Sequence, residues 1–95
     1  MSTMDKIQIL MMPAFKRSYK KLHPTPKSAV NEAIEAIRES SEIGVEKKGN
    51  FAAGVYVYKF SCIDKEMLLA YEYDLLTRIL LALGVHENFY RDLKR

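Results

Sequence analysis

The sequence has little of what several classes of protein require. Cys62 is the only cysteine among 95 residues, which excludes an internal disulfide framework and a multi-thiolate zinc site. No apolar run approaches the roughly 20 residues of a membrane-spanning helix, and residues 1–6 lack the charged-then-apolar layout of a secretion signal. There are no repeats, low-complexity segments or long linkers. We therefore expect one soluble, cytoplasmic domain over residues 1–95, with residues 1–5 as a flexible tail and no membrane partner.

The composition is typical of a globular fold, and its charges are segregated along the chain. Hydrophobic residues make up 48% and charged residues 28% of the sequence, and the net charge is only +3. Residues 6–31 carry six basic side chains and no acid, whereas glutamates dominate residues 32–46. Two ordinary solvated helix faces would give the same pattern. If a polyanion binds, we expect it on the basic elements, with the acidic helix facing away.

Hydrophobic periodicity predicts a helical hairpin in the first half of the chain. An apolar stretch over residues 6–11 predicts a strand, and Pro13 suits the first turn of the following helix. Thr25 and Pro26 are expected to restart a second helix, as its N-cap and its first-turn proline, which closes near residues 40–41. The polar residues 43–50 are expected to form a loop.

Alternating and β-branched residues predict three strands in the second half, over residues 55–60, 66–72 and 77–83. Within the first of these, period-2 alternation places Tyr56, Tyr58 and Phe60 on one face and Lys59 on the other. Asn88 is expected to cap a short C-terminal helix. The predicted fold class is α+β with the order β-α-α-β-β-β-α. It is a small, twisted, mostly antiparallel sheet with an N-terminal helical hairpin on one face and a short C-terminal helix.

Four residues form the one constellation in this sequence that suggests chemistry. His86 and Tyr90 are separated by one helical turn, Arg91 follows, and Lys59 is the only charge in its strand. A histidine with nearby cations suits metal-free cleavage of RNA by its own 2′-hydroxyl, which needs a base, an acid and positive charge at phosphorus. The same residues are also compatible with structural roles in a sheet and a terminal turn. No metal site and no cofactor is expected.

Four stretches of the chain resemble a known family. They read PAFKRSYKKL at 13–22, GVEKKGNF at 44–51, GVYVYKF at 54–60 and LGVHENFYRDLK at 83–94. Together these stretches are similar to the RelE/ParE superfamily, the toxins of bacterial type II toxin–antitoxin modules, over nearly the full chain from residue 7 to residue 94. The fold of that family, a twisted sheet with a helical hairpin on one face, agrees with the order predicted above.

The resemblance implies a cytoplasmic toxin that is neutralised by a cognate antitoxin, through which the complex binds operator DNA. It implies a ribosome-dependent endoribonuclease that cuts mRNA in the ribosomal A site. His86 would be the catalytic acid or base, Lys59 would neutralise the scissile phosphate, and Tyr90 would stack or relay a proton. Contacts to the RNA backbone are expected from a further set of basic residues: Lys47, Lys48, Arg91, Lys16, Arg17 and Lys20.

One position departs from the family, and two alternatives stay open. Where RelE has an arginine on the strand after the lysine, this chain has Leu68, which removes one transition-state cation. Arg78 or Arg91 is a candidate to compensate. The alternatives are a ParE-type poison of DNA gyrase, and a catalytically degraded toxin fold that only binds its antitoxin.

Overall fold

The structure is a computed structural model that describes residues 7–46, 54–62 and 65–85. Both of its helices begin at a proline. Helix α1 spans Pro13–Lys20 and helix α2 spans Pro24–Glu39. The prediction that Thr25 caps α2 is wrong, because the helix begins at Pro24 and His23 is its extended N-cap residue. Pro24 has a helical φ and disfavours helical backbone at the preceding residue, so the boundary lies there.

The strands form one five-stranded mixed sheet in the order β1-β5-β4-β3-β2. Strand β1 pairs in parallel with β5, and every other neighbouring pair is antiparallel. The α+β class and the mostly antiparallel sheet are therefore confirmed, and the leucine-rich segment is a strand. The strands are β1 (Gln8–Met11), β2 (Val45–Glu46), β3 (Tyr56–Cys62), β4 (Lys65–Tyr73) and β5 (Thr77–Val85).

The segment predicted as a loop over residues 43–50 contains β2, and a 3-10 turn (Ser41–Ile43) precedes it. Tyr71 on β4 positions this turn, since its hydroxyl donates to the Ser41 carbonyl at 2.6 Å and accepts from the Gly44 N–H at 2.9 Å. A Cβ at Gly44 would lie 2.7 Å from that hydroxyl oxygen, so a residue without a side chain suits this close approach. The contact of Tyr71 with this turn joins segments that are distant in sequence, so the periodicity of residues 43–50 could not predict it.

The sheet has two unlike faces. Both helices pack on one of them, the helix face, around a core that includes Phe15, Ile37 and Leu69. The opposite face, here called the far face, carries a smaller buried cluster of Val55, Val57, Leu68 and Ala70. Tyr56, Tyr58 and Phe60 pack toward the helix face, as their alternation predicted.

Two of the elements predicted from the sequence lie outside the described residues. They are the flexible tail over residues 1–5 and the terminal helix after Asn88. Within the described part of the chain, no helix is long and apolar enough to cross a bilayer.

Candidate functional site

Lys59 lies on the far face of the sheet, at the centre of β3. It alternates with Tyr58 and Phe60, which pack toward the helices, and its side chain is 59% exposed. In the sheet register Lys59 is opposite Leu68 on β4, which is in turn opposite Gly84 on β5. Adjacent strands are about 4.8 Å apart, so the row from Lys59 to Gly84 is about 10 Å wide.

Glu66 is a neighbour of Lys59 that the sequence analysis did not identify. Its Oε2 lies 4.0 Å from Nζ of Lys59, and its side chain is 48% exposed. Glu66 and Lys59 are diagonal neighbours across β3 and β4, so knowledge of the register would have revealed the pair. An exposed ion pair of this kind contributes at most about 1 kcal/mol. The lysine ammonium is therefore able to exchange the carboxylate for another anion at little cost.

The centre of this row is apolar, because Leu68 is completely buried between Lys59 and Gly84. Arg78 does not supply the missing cation. It is 5% exposed, and its guanidinium donates to four backbone carbonyls, those of Ile37, Arg38, Asp74 and Thr77. The hypothesis that Arg78 compensates for Leu68 is wrong, since its donors are directed to the end of α2 and to the β4–β5 turn.

The basic side chains of α1 lie in a different layer from Lys59. Lys16, Arg17 and Lys20 are exposed on a helix that packs against β5 on the helix face. The acidic α2 packs on that same face, against β3. The sheet thus separates Lys59 from both helices, and the acidic α2 shares its face of the sheet with the basic α1.

The remaining predicted site residues lie outside the described part of the chain. They are the candidate acid or base His86, the aromatic Tyr90, and the basic residues Arg91, Lys47 and Lys48. Strand β5 ends at Val85, which is opposite Met67 of β4. The described residues contain no cluster of three or more histidine, cysteine or carboxylate side chains that could hold a metal ion.

Two tyrosines have raised pKa values, and both belong to the helix face. A hydrogen bond with Tyr73, together with desolvation and the charge of Glu46, raises the pKa of Tyr56 to about 12. Burial raises the pKa of Tyr71, partly offset by the hydrogen bond from the Gly44 N–H. Both phenols therefore stay protonated at neutral pH and cannot act there as bases. Their contacts identify them as structural residues.

The family of the chain follows from a comparison with family models. A model described as the ParE-like toxin of type II bacterial toxin–antitoxin systems matches residues 9–94. The chain belongs to this toxin family. The match includes β1 from its second residue, all the other strands, both helices and every predicted site residue. It confirms the resemblance to RelE/ParE toxins. A search of curated proteins finds no significant match.

Solved structures share the toxin's fold at low sequence identity. A chain of the intact Escherichia coli RelBE toxin–antitoxin complex has a TM-score of 0.69 and 16% identity, covering 85% of this chain and 98% of its own. A chain of the RelBE2 complex from Mycobacterium tuberculosis has a TM-score of 0.71 and 19% identity, covering 85% and 99%. A chain of the archaeal RelE–RelB complex from Pyrococcus horikoshii has a TM-score of 0.57 and 9% identity, covering 86% of this chain and 97% of its own. At these identities the likeness concerns the fold.

Proposed function

We propose that this toxin is a ribosome-dependent mRNA endoribonuclease, neutralised by a cognate antitoxin. The observation that supports this most directly is the placement of Lys59. It is an exposed ammonium on the far face, aligned across Leu68 with Gly84, two residues before His86 in the sequence. A phosphate at Lys59 would thus lie about two strand spacings from the end of β5.

The chemistry proposed for this site is cleavage by the substrate's own 2′-hydroxyl. The 2′-oxygen attacks phosphorus, the bond from phosphorus to the 5′-oxygen breaks, and the products are a 2′,3′-cyclic phosphate and a 5′-hydroxyl. His86 removes the proton from the 2′-hydroxyl or donates one to the 5′-oxygen, because imidazole does both near neutral pH. Lys59 stabilises the negative charge on the phosphoryl oxygens, and the RNA phosphate displaces Glu66 from it.

The two separated basic surfaces suit two different RNA contacts. Lys59 would contact the scissile mRNA phosphate, whereas Lys16, Arg17 and Lys20 of α1 would contact ribosomal RNA. Tyr90 is proposed to stack on a base, and Arg91, Lys47 and Lys48 are proposed to bind backbone phosphates. Binding through so many phosphate contacts should weaken steeply as salt is raised.

The antitoxin is the second proposed partner. Three of the similar solved structures are complexes of a RelE-type toxin with its antitoxin. We infer that an antitoxin also covers this chain and blocks its RNA contacts, and that the complex binds operator DNA through the antitoxin. A cytoplasmic location follows from the proposed ribosomal target.

Growth arrest and RNA end mapping test the proposal together. The wild type and the variants His86→Ala, Lys59→Ala and Lys27→Ala are expressed without antitoxin, and RNA 5′ ends are mapped on translated messages. The loss of an acid–base group typically costs about 10²- to 10⁴-fold in rate. We therefore expect the His86 and Lys59 variants to lose both arrest and new RNA ends. Lys27 contacts the Tyr19 ring from α2, so its variant is a matched lysine control that should remain toxic.

The alternatives predict different results in the same experiment. Full arrest by both the His86 and Lys59 variants would contradict the proposed mechanism. Arrest without new RNA ends, combined with inhibition of gyrase in a supercoiling assay, would identify a ParE-type poison. A wild-type chain that neither arrests growth nor cuts RNA would indicate a degraded toxin that only binds its antitoxin.

A further inference from the structure

Glu66 lies on the same face of the sheet as Lys59, on the neighbouring strand. It is two residues before Leu68, which packs in the far-face cluster, and next to Met67, which packs in the core on the helix face. Its Oε2 lies 4.0 Å from Nζ of Lys59, and its side chain is 48% exposed. A carboxylate is thus open to solvent directly beside the ammonium that is proposed to hold the scissile phosphate.

This carboxylate opposes the binding of RNA at Lys59. Like charges a few ångströms apart repel each other, so Glu66 weakens the attraction of Lys59 for a phosphate. The ion pair also adds little to the stability of the fold, because about half of each side chain is exposed to water. Neither RNA binding nor folding gains much from Glu66, whereas the cleavage reaction requires a proton acceptor near the phosphate.

The distance between the two side chains suits proton transfer from a 2′-hydroxyl. When a phosphate replaces the carboxylate on Lys59, the attacking 2′-oxygen has to lie about 3–3.5 Å from phosphorus. A general base has to approach that oxygen to about 2.6–3.2 Å. Because the carboxylate of Glu66 reaches the ammonium itself in the free protein, it is within a few ångströms of any phosphate bound there. An ionised carboxylate only accepts hydrogen bonds, as this role requires.

We propose that Glu66 is the general base of the RNA cleavage, an assignment that rests on the proposed function. Glu66 takes the proton of the 2′-hydroxyl, the 2′-oxygen forms its bond to phosphorus, and the bond from phosphorus to the 5′-oxygen breaks. The 5′-oxygen receives its proton from the imidazolium of His86, which is therefore the general acid. The carboxyl group and the imidazole return to their starting states by exchanging protons with water.

The order of residues along β4 and β5 supports this division of roles. In the ladder between these strands Met67 is opposite Val85, the last residue of β5. Glu66 precedes Met67 in the sequence, and His86 follows Val85. The two proposed proton carriers are therefore the sequence neighbours of one pair of the ladder, one on each strand.

Single-turnover cleavage of a message in the A site of purified ribosomes tests the assignment. The wild type and Glu66→Gln are compared at increasing toxin concentration, at a cleavage position first mapped with the wild type. We expect Glu66→Gln to lower the rate at saturation by about 10²- to 10⁴-fold, the usual contribution of a general base. The toxin concentration that gives half of this rate should not rise, because the substitution removes a negative charge beside the phosphate.

Glu72 provides a matched control on the same strand and the same face. It alternates with Tyr71 and Tyr73, which pack toward the helices, and it lies about 20 Å from Glu66 along β4. Glu72→Gln removes the same charge and should cleave the message like the wild type. Far-UV circular dichroism checks that both variants are folded.

Two further measurements separate a base from a residue that only positions Lys59. Added formate should restore part of the activity of Glu66→Ala, because a small carboxylate can accept the proton in place of the side chain; chloride at the same ionic strength should not. A message with sulfur in place of the 5′-oxygen at the scissile bond has a leaving group that needs no proton. On this message His86→Ala should recover most of its activity, whereas Glu66→Gln should stay slow.

Several results would overturn the assignment. A saturating rate of Glu66→Gln equal to that of the wild type, or above it, would make Glu66 only a counterion of Lys59. A loss in Glu66→Ala that formate does not reverse would make it a positioning residue. Recovery of Glu66→Gln on the sulfur-containing message would assign it to the leaving group. Failure of the wild type to cut RNA would overturn the proposed function as well, so the wild-type reaction distinguishes the two failures.

Discussion

Replacing Arg78 by methionine should destabilise the fold, because this buried side chain joins the end of α2 to the β4–β5 turn. Its Nε donates to the Ile37 carbonyl at 3.1 Å, and its Nη2 donates to the Arg38 carbonyl at 3.2 Å. Its Nη1 donates to the carbonyls of Asp74 and Thr77 at 2.9 and 3.3 Å. Carbonyls in the last turn of a helix lack intrahelical donors, and the negative end of the helix dipole favours a cation there.

The size of the effect follows from these hydrogen bonds. A hydrogen bond to a charged group contributes about 1.5–3 kcal/mol, and desolvation of the buried guanidinium offsets part of the total. Counting only the two shortest bonds, to Asp74 and Ile37, we expect Arg78→Met to lower the free energy of unfolding by about 3 kcal/mol. Arg78→Lys should recover less than half of this, because a single ammonium cannot reproduce the planar fork of donors.

Urea denaturation followed by circular dichroism measures the loss. With a slope of about 1 kcal/mol per molar urea for a small domain, the midpoint of Arg78→Met should fall by about 3 M. Arg17 is exposed on α1, so Arg17→Met serves as the matched control and should change stability by less than about 0.5 kcal/mol. A change of less than about 1 kcal/mol in Arg78→Met, or wild-type stability in Arg78→Lys, would refute this reasoning.

Further predictions concern the tyrosines of the helix face. Tyr71→Phe should cost about 1–3 kcal/mol in urea unfolding, because the Gly44 N–H and the Ser41 carbonyl lose their common partner. Gly44→Ala should destabilise the wild type more than it destabilises the Tyr71→Phe variant, since the hydroxyl oxygen is the atom nearest to the new Cβ; equal costs in both backgrounds would contradict this. The pKa of Tyr56 is about 12 in the folded chain and about 10 in the unfolded chain. The unfolded chain therefore loses its proton first, and the stability contributed by this group is complete below pH 10 and declines as the pH rises toward about 12. Urea midpoints across this range should fall less steeply in Tyr73→Phe, which lacks the hydrogen bond that raises the pKa; parallel curves would count against it.

Local patterns predicted part of the candidate site. Alternation along β3 placed Lys59 on the face opposite Tyr58 and Phe60, and the structure has it there. Glu66 escaped notice because its distance from Lys59 depends on the register between β3 and β4, which no local pattern specifies. The hypothesis about Arg78 failed for a related reason. Its four acceptors are backbone carbonyls, two of them about 40 residues away in sequence, and carbonyls leave no signature in residue types.

The sequence by itself determined the types of the main elements and the faces of the strands. These depend on periodicities of 3.6 and 2 residues and on prolines such as Pro13, which act within a few positions along the chain. Only the tertiary structure decided that β1 lies parallel to β5, that Tyr71 holds the turn before β2, and that the sheet separates Lys59 from the basic helix. Such arrangements depend on packing and hydrogen bonds between distant segments. Their free energy depends on the whole fold, so no single stretch of sequence records it.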